Sequence, residues 1–191
     1  MSDGVNRRDF LAASAATFAG LAWPSVAPAE DLALARAPEL APARLLGAAS
    51  MRGVPFEKRE VARIAIVGTG LRGRSVLSEL LAIDGVRVTA IADLRPENAA
   101  KAAKMITDAG QTAPAVLAGN ERDFEQLVQR DDIDLVYTAT PWEWHVPVCL
   151  AALNAGKHAA TECPAGITLR DLWALVDASE RNRRHCLQLE N

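Results

Sequence analysis

Residues 64–73 read Ile-Ala-Ile-Val-Gly-Thr-Gly-Leu-Arg-Gly. Four apolar residues run into three glycines spaced G-x-G-x-x-G, and a helical pattern follows at 74–82. Each glycine has its own physical role in such a turn. Gly68 permits the tight reversal, Gly70 lets the backbone approach a pyrophosphate, and Gly73 lets the helix pack closely on the strand. The phosphates then sit on the unpaired N–H groups of the helix N-terminus. A glycine triplet alone is weak evidence, because turns use glycine freely. Here the context agrees, since Asp93 stands 20 residues after Gly73 and closes a second strand-like run at 86–92. An acid there accepts the hydroxyls of an adenosine ribose. A 2′-phosphate would meet Asp93 as a like charge, which favours NAD(H) over NADP(H). Arg72, inside the loop, reads as reaching the pyrophosphate.

Outward from this loop the same grammar repeats. Strand-type runs at 63–67, 86–92, 115–117, 134–138, 158–161 and 186–189 alternate with helical runs at 74–82, 96–109, 121–129, 145–154 and 169–181. Six such strands with helices between them predict an α/β fold, a Rossmann-type doubly wound parallel sheet covered on both faces. The last helix is the best marked. Thr168 and Asp171 form a capping-box pattern, and Leu169, Leu172, Trp173 and Val176 share one face. That face, with Trp173, is expected to be core.

The fourth full strand ends in Thr-Ala-Thr-Pro-Trp-Glu-Trp-His, residues 138–145. Open parallel sheets bind ligands beyond the carboxyl ends of their strands, so Trp142, Glu143, Trp144 and His145 share a rim with the glycine loop. A metal needs three or more ligands, which Glu143 and His145 do not supply, because His158 and His185 fall at strand starts. No metal site is expected. Two indoles beside hydrogen-bonding groups suit the nicotinamide half of the cofactor, packing against a neighbouring element being the simpler alternative.

The chain has 191 residues, half of them hydrophobic and 24% charged, the balance of a soluble folded domain. A net charge of −3 without a Lys/Arg stripe excludes general attraction to nucleic acid. Cys149, Cys163 and Cys186 are odd in number and form no CxxC pair, so they read as free thiols. Before the folded region, Arg7-Arg8 precedes an apolar run at 10–23, and Ala27-Pro28-Ala29 follows. That run is 14 residues long, short of the ~20 that span a bilayer. The pattern predicts a twin-arginine signal peptide over 1–29, directing a periplasmic or secreted protein without a membrane anchor. Residues 30–58, rich in Ala and Pro, read as a leader with one short helix at 41–49, and the NAD-binding domain as 59–191.

The loop GTGLRGRS, the segment TPWEWH and the tail from Gly156-Lys157-His158 through Glu162-Cys163-Pro164 to Leu189-Glu190-Asn191 resemble the Gfo/Idh/MocA oxidoreductase family. Within it, residues 60–191 are similar to the branch classed as glycoside hydrolase family 109, NAD-dependent α-N-acetylgalactosaminidases. By that resemblance NAD is contacted at Leu71, Arg72, Asp93, Trp142, Glu143, Trp144, His145, Glu162, Cys163 and Asn191. The implied reaction is redox-neutral, with transient oxidation at C3 of a sugar, elimination from C1, addition of water and re-reduction. Sugar dehydrogenases of the wider family carry Glu-Lys-Pro where this chain has Glu162-Cys163-Pro164, and the glycosidase branch also lacks that lysine. The resemblance further implies a second α/β domain after Asn191, holding the sugar and the catalytic residues, so no catalytic residue is assigned and the chain alone is expected to be inactive. It implies a small sugar or glycoside as partner and leaves room for a homo-oligomer. Two alternatives stay open: an NAD-dependent sugar dehydrogenase, and a non-catalytic nucleotide-binding module.

Overall fold

A computed structural model of the protein describes residues 50–189. The signal peptide expected at 1–29, the short helix expected at 41–49 and Asn191 lie outside the described residues. Six strands form one sheet: β1 (Ala62–Val67), β2 (Val86–Asp93), β3 (Ala115–Ala118), β4 (Leu135–Thr138), β5 (His158–Thr161) and β6 (Cys186–Gln188). Every pairing is parallel, and the spatial order is β3-β2-β1-β4-β5-β6. That is the doubly wound order, with its switch point between β1 and β4.

Five helices connect the strands: α1 (Leu71–Leu81), α2 (Pro96–Asp108), α3 (Asp123–Leu127), α4 (Trp142–Asn154) and α5 (Leu169–Asn182). Side chains alternate across β1, which sorts the core into two layers. Ile64 and Ile66 join Leu77 of α1 and Ile106 of α2 on one face. Ala65 and Val67 join Phe124 of α3, Val148 and Leu153 of α4, and Leu175 of α5 on the other. The small residues Ala65, Ala90 and Ala159 let the second set of helices sit close to the strands.

Three expectations from the sequence need correction. Helix α4 begins at Trp142, not at residue 145, so the indole-rich segment is a first helical turn rather than a loop. Pro147 is the sixth residue of this helix, where its ring removes one i→i−4 hydrogen bond, the one to the Glu143 carbonyl. Helix α1 likewise begins at Leu71, inside the glycine motif. The third correction concerns α5, which is apolar on more than one side. Leu175, Ala178 and Ser179 are its buried positions, whereas Leu169, Leu172, Trp173 and Val176 are 39–52% exposed. The capping hydrogen bond is present, with Thr168 Oγ1 accepting from the Asp171 N–H at 3.1 Å.

The segment before β1 has no regular element, but Phe56 stacks on His185 at 3.9 Å between ring centroids. At the same rim an ion pair fixes the starts of β1 and β4. Asp134 Oδ2 accepts from the backbone N–H and Nε of Arg63, each at 3.0 Å, and Oδ1 accepts from Arg63 Nη2 at 2.6 Å. The Asp134 side chain is only 9% exposed. Hydrogen bonds from Arg63 outweigh the opposing effect of burial and hold its carboxyl below the ordinary range. A depressed carboxyl stabilises the fold above its unfolded-state pKa, and that contribution disappears as pH falls through the folded value. Asp134→Asn is therefore expected to cost about 1–3 kcal/mol in urea denaturation at pH 7. The gap to the unsubstituted protein closes as the pH drops below about 4.

Candidate functional site

The C-terminal ends of β1, β2 and β4 surround a cavity of about 410 Å³. Gly68 and Gly70 line one wall, Asp93, Arg95 and Asn98 a second, and Thr140, Glu143 and Trp144 a third. The volume lies in the range of small-molecule sites, about 300–1,000 Å³.

The three glycines differ in what excludes a side chain. Gly68 has φ +85°, and a Cβ there would stand 2.9 Å from the backbone of Ala139 and Thr140 at the exit of β4. A Cβ on Gly73 would collide with the Gly68 carbonyl oxygen. Gly70 is otherwise: it caps α1 with φ −62°, and nothing lies within 4 Å of its would-be Cβ. The protein itself does not require glycine at position 70. A ligand pressed against the backbone there would.

Helix α1 has no side-chain cap and no acidic residue in its first turn, so its N-terminal N–H groups are offered to an anion without competition. Leu71, first in that turn, is 86% exposed. Asp93 is oriented by the glycine loop. Its Oδ2 accepts from the Thr69 N–H at 2.6 Å and from Thr69 Oγ1 at 2.9 Å, and its Oδ1 accepts from the Arg95 N–H at 2.8 Å. Arg74 Nη1 donates to the Thr69 carbonyl at 2.6 Å and to Asn98 Oδ1 at 3.3 Å. Thr69, Arg74 and Asn98 were not legible as site residues, because they carry no spacing signal and act through loop geometry.

The segment from Trp142 to His145 splits on folding. Glu143 and Trp144 line the cavity, and Trp144 meets Phe124 edge-on at 5.7 Å. Trp142 is 61% exposed and lies outside the cavity lining. His145 is buried at 1% exposure, with Nδ1 2.8 Å from the Pro164 carbonyl and Nε2 3.0 Å from the Thr140 carbonyl. It braces the exits of β4 and β5 against each other.

Arg72 and Glu162 meet at the same rim. Arg72 Nη2 stands 3.0 Å from Glu162 Oε1, which also accepts from the buried Tyr137 hydroxyl at 2.7 Å. Burial alone would raise the Glu162 carboxyl, but hydrogen bonds from Tyr137 and Arg72 together outweigh it and hold the carboxyl below its ordinary value. Burial first, then the Glu162 carboxylate, pushes the Tyr137 hydroxyl upward, so it remains a donor. The Arg72 expected at the pyrophosphate is thus engaged with a carboxylate. Cys163 is exposed beside the pair, its sulfur accepting from Gln188 Nε2 at 3.8 Å.

A family model described as oxidoreductase family, NAD-binding Rossmann fold, matches residues 62–189. The chain belongs to the Gfo/Idh/MocA oxidoreductase family. A glycosyl hydrolase family 109 protein of Saccharopolyspora erythraea is 46% identical over 190 residues, all of this chain and 40% of the relative. A protein of the same name from Streptomyces coelicolor is 43% identical over 187 residues, 98% of this chain and 39% of the relative. The chain therefore spans about two fifths of the length of these relatives. Among solved structures, scyllo-inositol dehydrogenase of Lactobacillus casei with bound NAD(H) and scyllo-inositol superposes with a TM-score of 0.58 at 25% identity, over 68% of this chain and 36% of that one. An NAD-binding protein from Listeria innocua gives 0.58 at 26% identity, over 68% and 35%.

The domain is an NAD-binding Rossmann domain, and its residues fit the cofactor: an open Gly70, a free helix N-terminus and a pre-oriented Asp93. Two substitutions separate fold from ligand. Gly70→Ala is expected to leave the unfolding midpoint unchanged but to weaken NAD⁺ binding by about tenfold or more in titration calorimetry. Gly73→Ala is expected to lower the midpoint by about 4 °C or more, because the helix must move off the strand.

Proposed function

We propose that the chain is the cofactor half of an NAD-dependent glycoside hydrolase acting on α-N-acetylgalactosaminides. The observation that carries this is the 46% identity, along the whole of this chain, to a glycosyl hydrolase family 109 protein. Bound NAD supplies a hydride acceptor that later returns the hydride, so the overall hydrolysis is redox-neutral. Two carboxylates flanking the glycosidic bond are then unnecessary.

The chain's own residues do the holding. Gly68, Gly70 and the α1 N-terminus receive the pyrophosphate, and Asp93 takes a ribose hydroxyl on the acceptor capacity that Thr69 and Arg95 leave free. Trp144 and Glu143 close the wall toward the nicotinamide side. Glu162, held ionised by Tyr137 and Arg72, fixes a negative charge at the rim. Cys163 stands where the dehydrogenase pattern has an ammonium group, which favours the hydrolase reading. The structural likeness to a scyllo-inositol dehydrogenase favours a second reading, an NAD-dependent sugar dehydrogenase.

Export supports the setting of such an enzyme. The twin-arginine route carries folded proteins, so NAD bound in the cytoplasm travels with the chain. Arg7-Arg8, the 10–23 run and Ala27-Pro28-Ala29 support that route, and no helix among the described residues is long and apolar enough to cross a membrane.

Hydride transfer needs the sugar carbon held about 3–3.5 Å from the nicotinamide, and positioning the sugar belongs to the remaining length of the relatives. The 191-residue chain alone is expected to bind NAD and release no p-nitrophenol from p-nitrophenyl α-N-acetylgalactosaminide. Joined in frame to the C-terminal part of the Saccharopolyspora erythraea relative, it is expected to hydrolyse that substrate with no net NADH at 340 nm. Steady NADH accumulation without glycoside cleavage would establish the dehydrogenase instead. For export, lysine at both Arg7 and Arg8 is expected to trap the uncleaved precursor inside the cell; normal secretion of that variant would refute the route.

A further inference from the structure

A doubly wound sheet carries one mononucleotide on each side of its switch point. Asp93, at the end of β2, marks the adenosine side. Glu162 directly follows β5 on the opposite side, the half left for the nicotinamide mononucleotide. Three contacts fix it there. The Glu162 N–H donates to the Thr138 carbonyl at 3.2 Å, continuing the ladder between β4 and β5. Tyr137, 1% exposed in β4, donates its hydroxyl to Glu162 Oε1 at 2.7 Å. Arg72 Nη2 lies 3.0 Å from that same oxygen. Both donors therefore converge on Oε1, and no hydrogen bond among the described residues reaches Oε2. The Glu162 side chain keeps 18% of its surface exposed. With the Arg72 guanidinium at one oxygen, the other is the negative end of the pair.

Nicotinamide changes charge with its redox state: the ring is a cation in NAD⁺ and neutral in NADH. A fixed carboxylate on its half of the site attracts the first and is indifferent to the second. We propose that Glu162, positioned by Tyr137, biases the bound cofactor toward its oxidised form. Burial opposes the charge on Glu162, but hydrogen bonds from Tyr137 and Arg72 hold the carboxyl below its ordinary range, so the anion persists at neutral pH. Tyr137 adds no charge of its own. Its hydroxyl keeps the carboxylate in one place, which matters most when a pyrophosphate competes for Arg72.

A tighter hold on NAD⁺ than on NADH lowers the potential of the bound couple, and a tenfold affinity ratio is about 30 mV for two electrons. A cofactor that takes a hydride and returns it is thereby drawn back to the form that starts the next turnover. The inference rests on the NAD-binding character of the domain and holds for a hydrolase or a dehydrogenase alike.

The test is a set of dissociation constants for NAD⁺ and NADH, measured by titration calorimetry on the 191-residue chain and on Glu162→Gln, Tyr137→Phe and the double variant. Glutamine keeps the shape and an oxygen for the Tyr137 hydroxyl while removing the charge; phenylalanine removes the hydroxyl alone. Glu162→Gln is expected to lower the ratio of the NADH constant to the NAD⁺ constant by about fivefold or more, chiefly by weakening NAD⁺. Tyr137→Phe is expected to lower the ratio by about twofold, and the double variant to match Glu162→Gln, because Tyr137 acts through the carboxylate. Equal weakening of both nucleotides in Glu162→Gln would overturn the proposal. So would a Tyr137→Phe effect that persists undiminished once Glu162 is glutamine, or a lowered unfolding midpoint with no change in the ratio.

Discussion

The C-terminal rim of the sheet depends on the absence of two side chains. Gly68 lets the end of β1 press against the Ala139–Thr140 backbone, and Gly73 lets the first turn of α1 lie on the Gly68 carbonyl. Three segments meet there at backbone distance, which no residue with a Cβ allows. Because they meet, α1 starts directly after β1 and its unpaired N–H groups open onto the cavity. The Gly68 N–H still donates to Ala92, and the Ala139 N–H to Val67, so the crowding costs no ladder bond. Position 70 lies a few ångströms away under no such constraint, which separates the glycines that build the turn from the one that serves a ligand.

Two carboxylates take their orientation from this rim. Asp93 is tied to Thr69 of the glycine loop, so the second strand and the first loop cannot move independently. Glu162 is tied to Tyr137 of β4 and Arg72 of α1, which links the ends of β5, β4 and α1. Hydrogen bonds to charged groups contribute about 1.5–3 kcal/mol each, enough to fix such side chains before any ligand arrives. His145 adds a further brace, its ring nitrogens 2.8 Å from the Pro164 carbonyl and 3.0 Å from the Thr140 carbonyl. A cofactor entering this site meets groups already in place, and less of its binding energy is lost to ordering them.

The sequence made some of this legible and concealed the rest, for physical reasons. The glycine loop and Asp93 were readable because backbone sterics and strand spacing leave few residues able to serve there. The six strands and their helices were readable from apolar periodicity. What periodicity cannot show is which partner a polar side chain selects among several within reach. Arg72 sits in a phosphate-type loop yet pairs with Glu162, 90 positions later in the chain. His145 reads as a cofactor contact in TPWEWH, and what the sequence does not show is that helix α4 begins at Trp142 and that the imidazole is buried between two carbonyls. Helix α5 misled in another way: two apolar faces compete on it, and the one carrying Leu175, Ala178 and Ser179 is the one that is buried.

The site is asymmetric in how much of it this domain supplies. The side built by the glycine loop, Asp93 and Asn98 is lined by residues of β1, β2, β4 and their following turns. The side at Trp142, Glu162 and Cys163 lies outside that cavity, with Trp142 and Cys163 open to solvent. The family model for an NAD-binding Rossmann fold matches residues 62–189, which include all of these walls. On the proposed reading, hydride transfer, which tolerates little error in distance or angle, draws on a second surface brought against the Glu162–Cys163 rim, and the same cofactor domain suits a dehydrogenase or a hydrolase according to that surface.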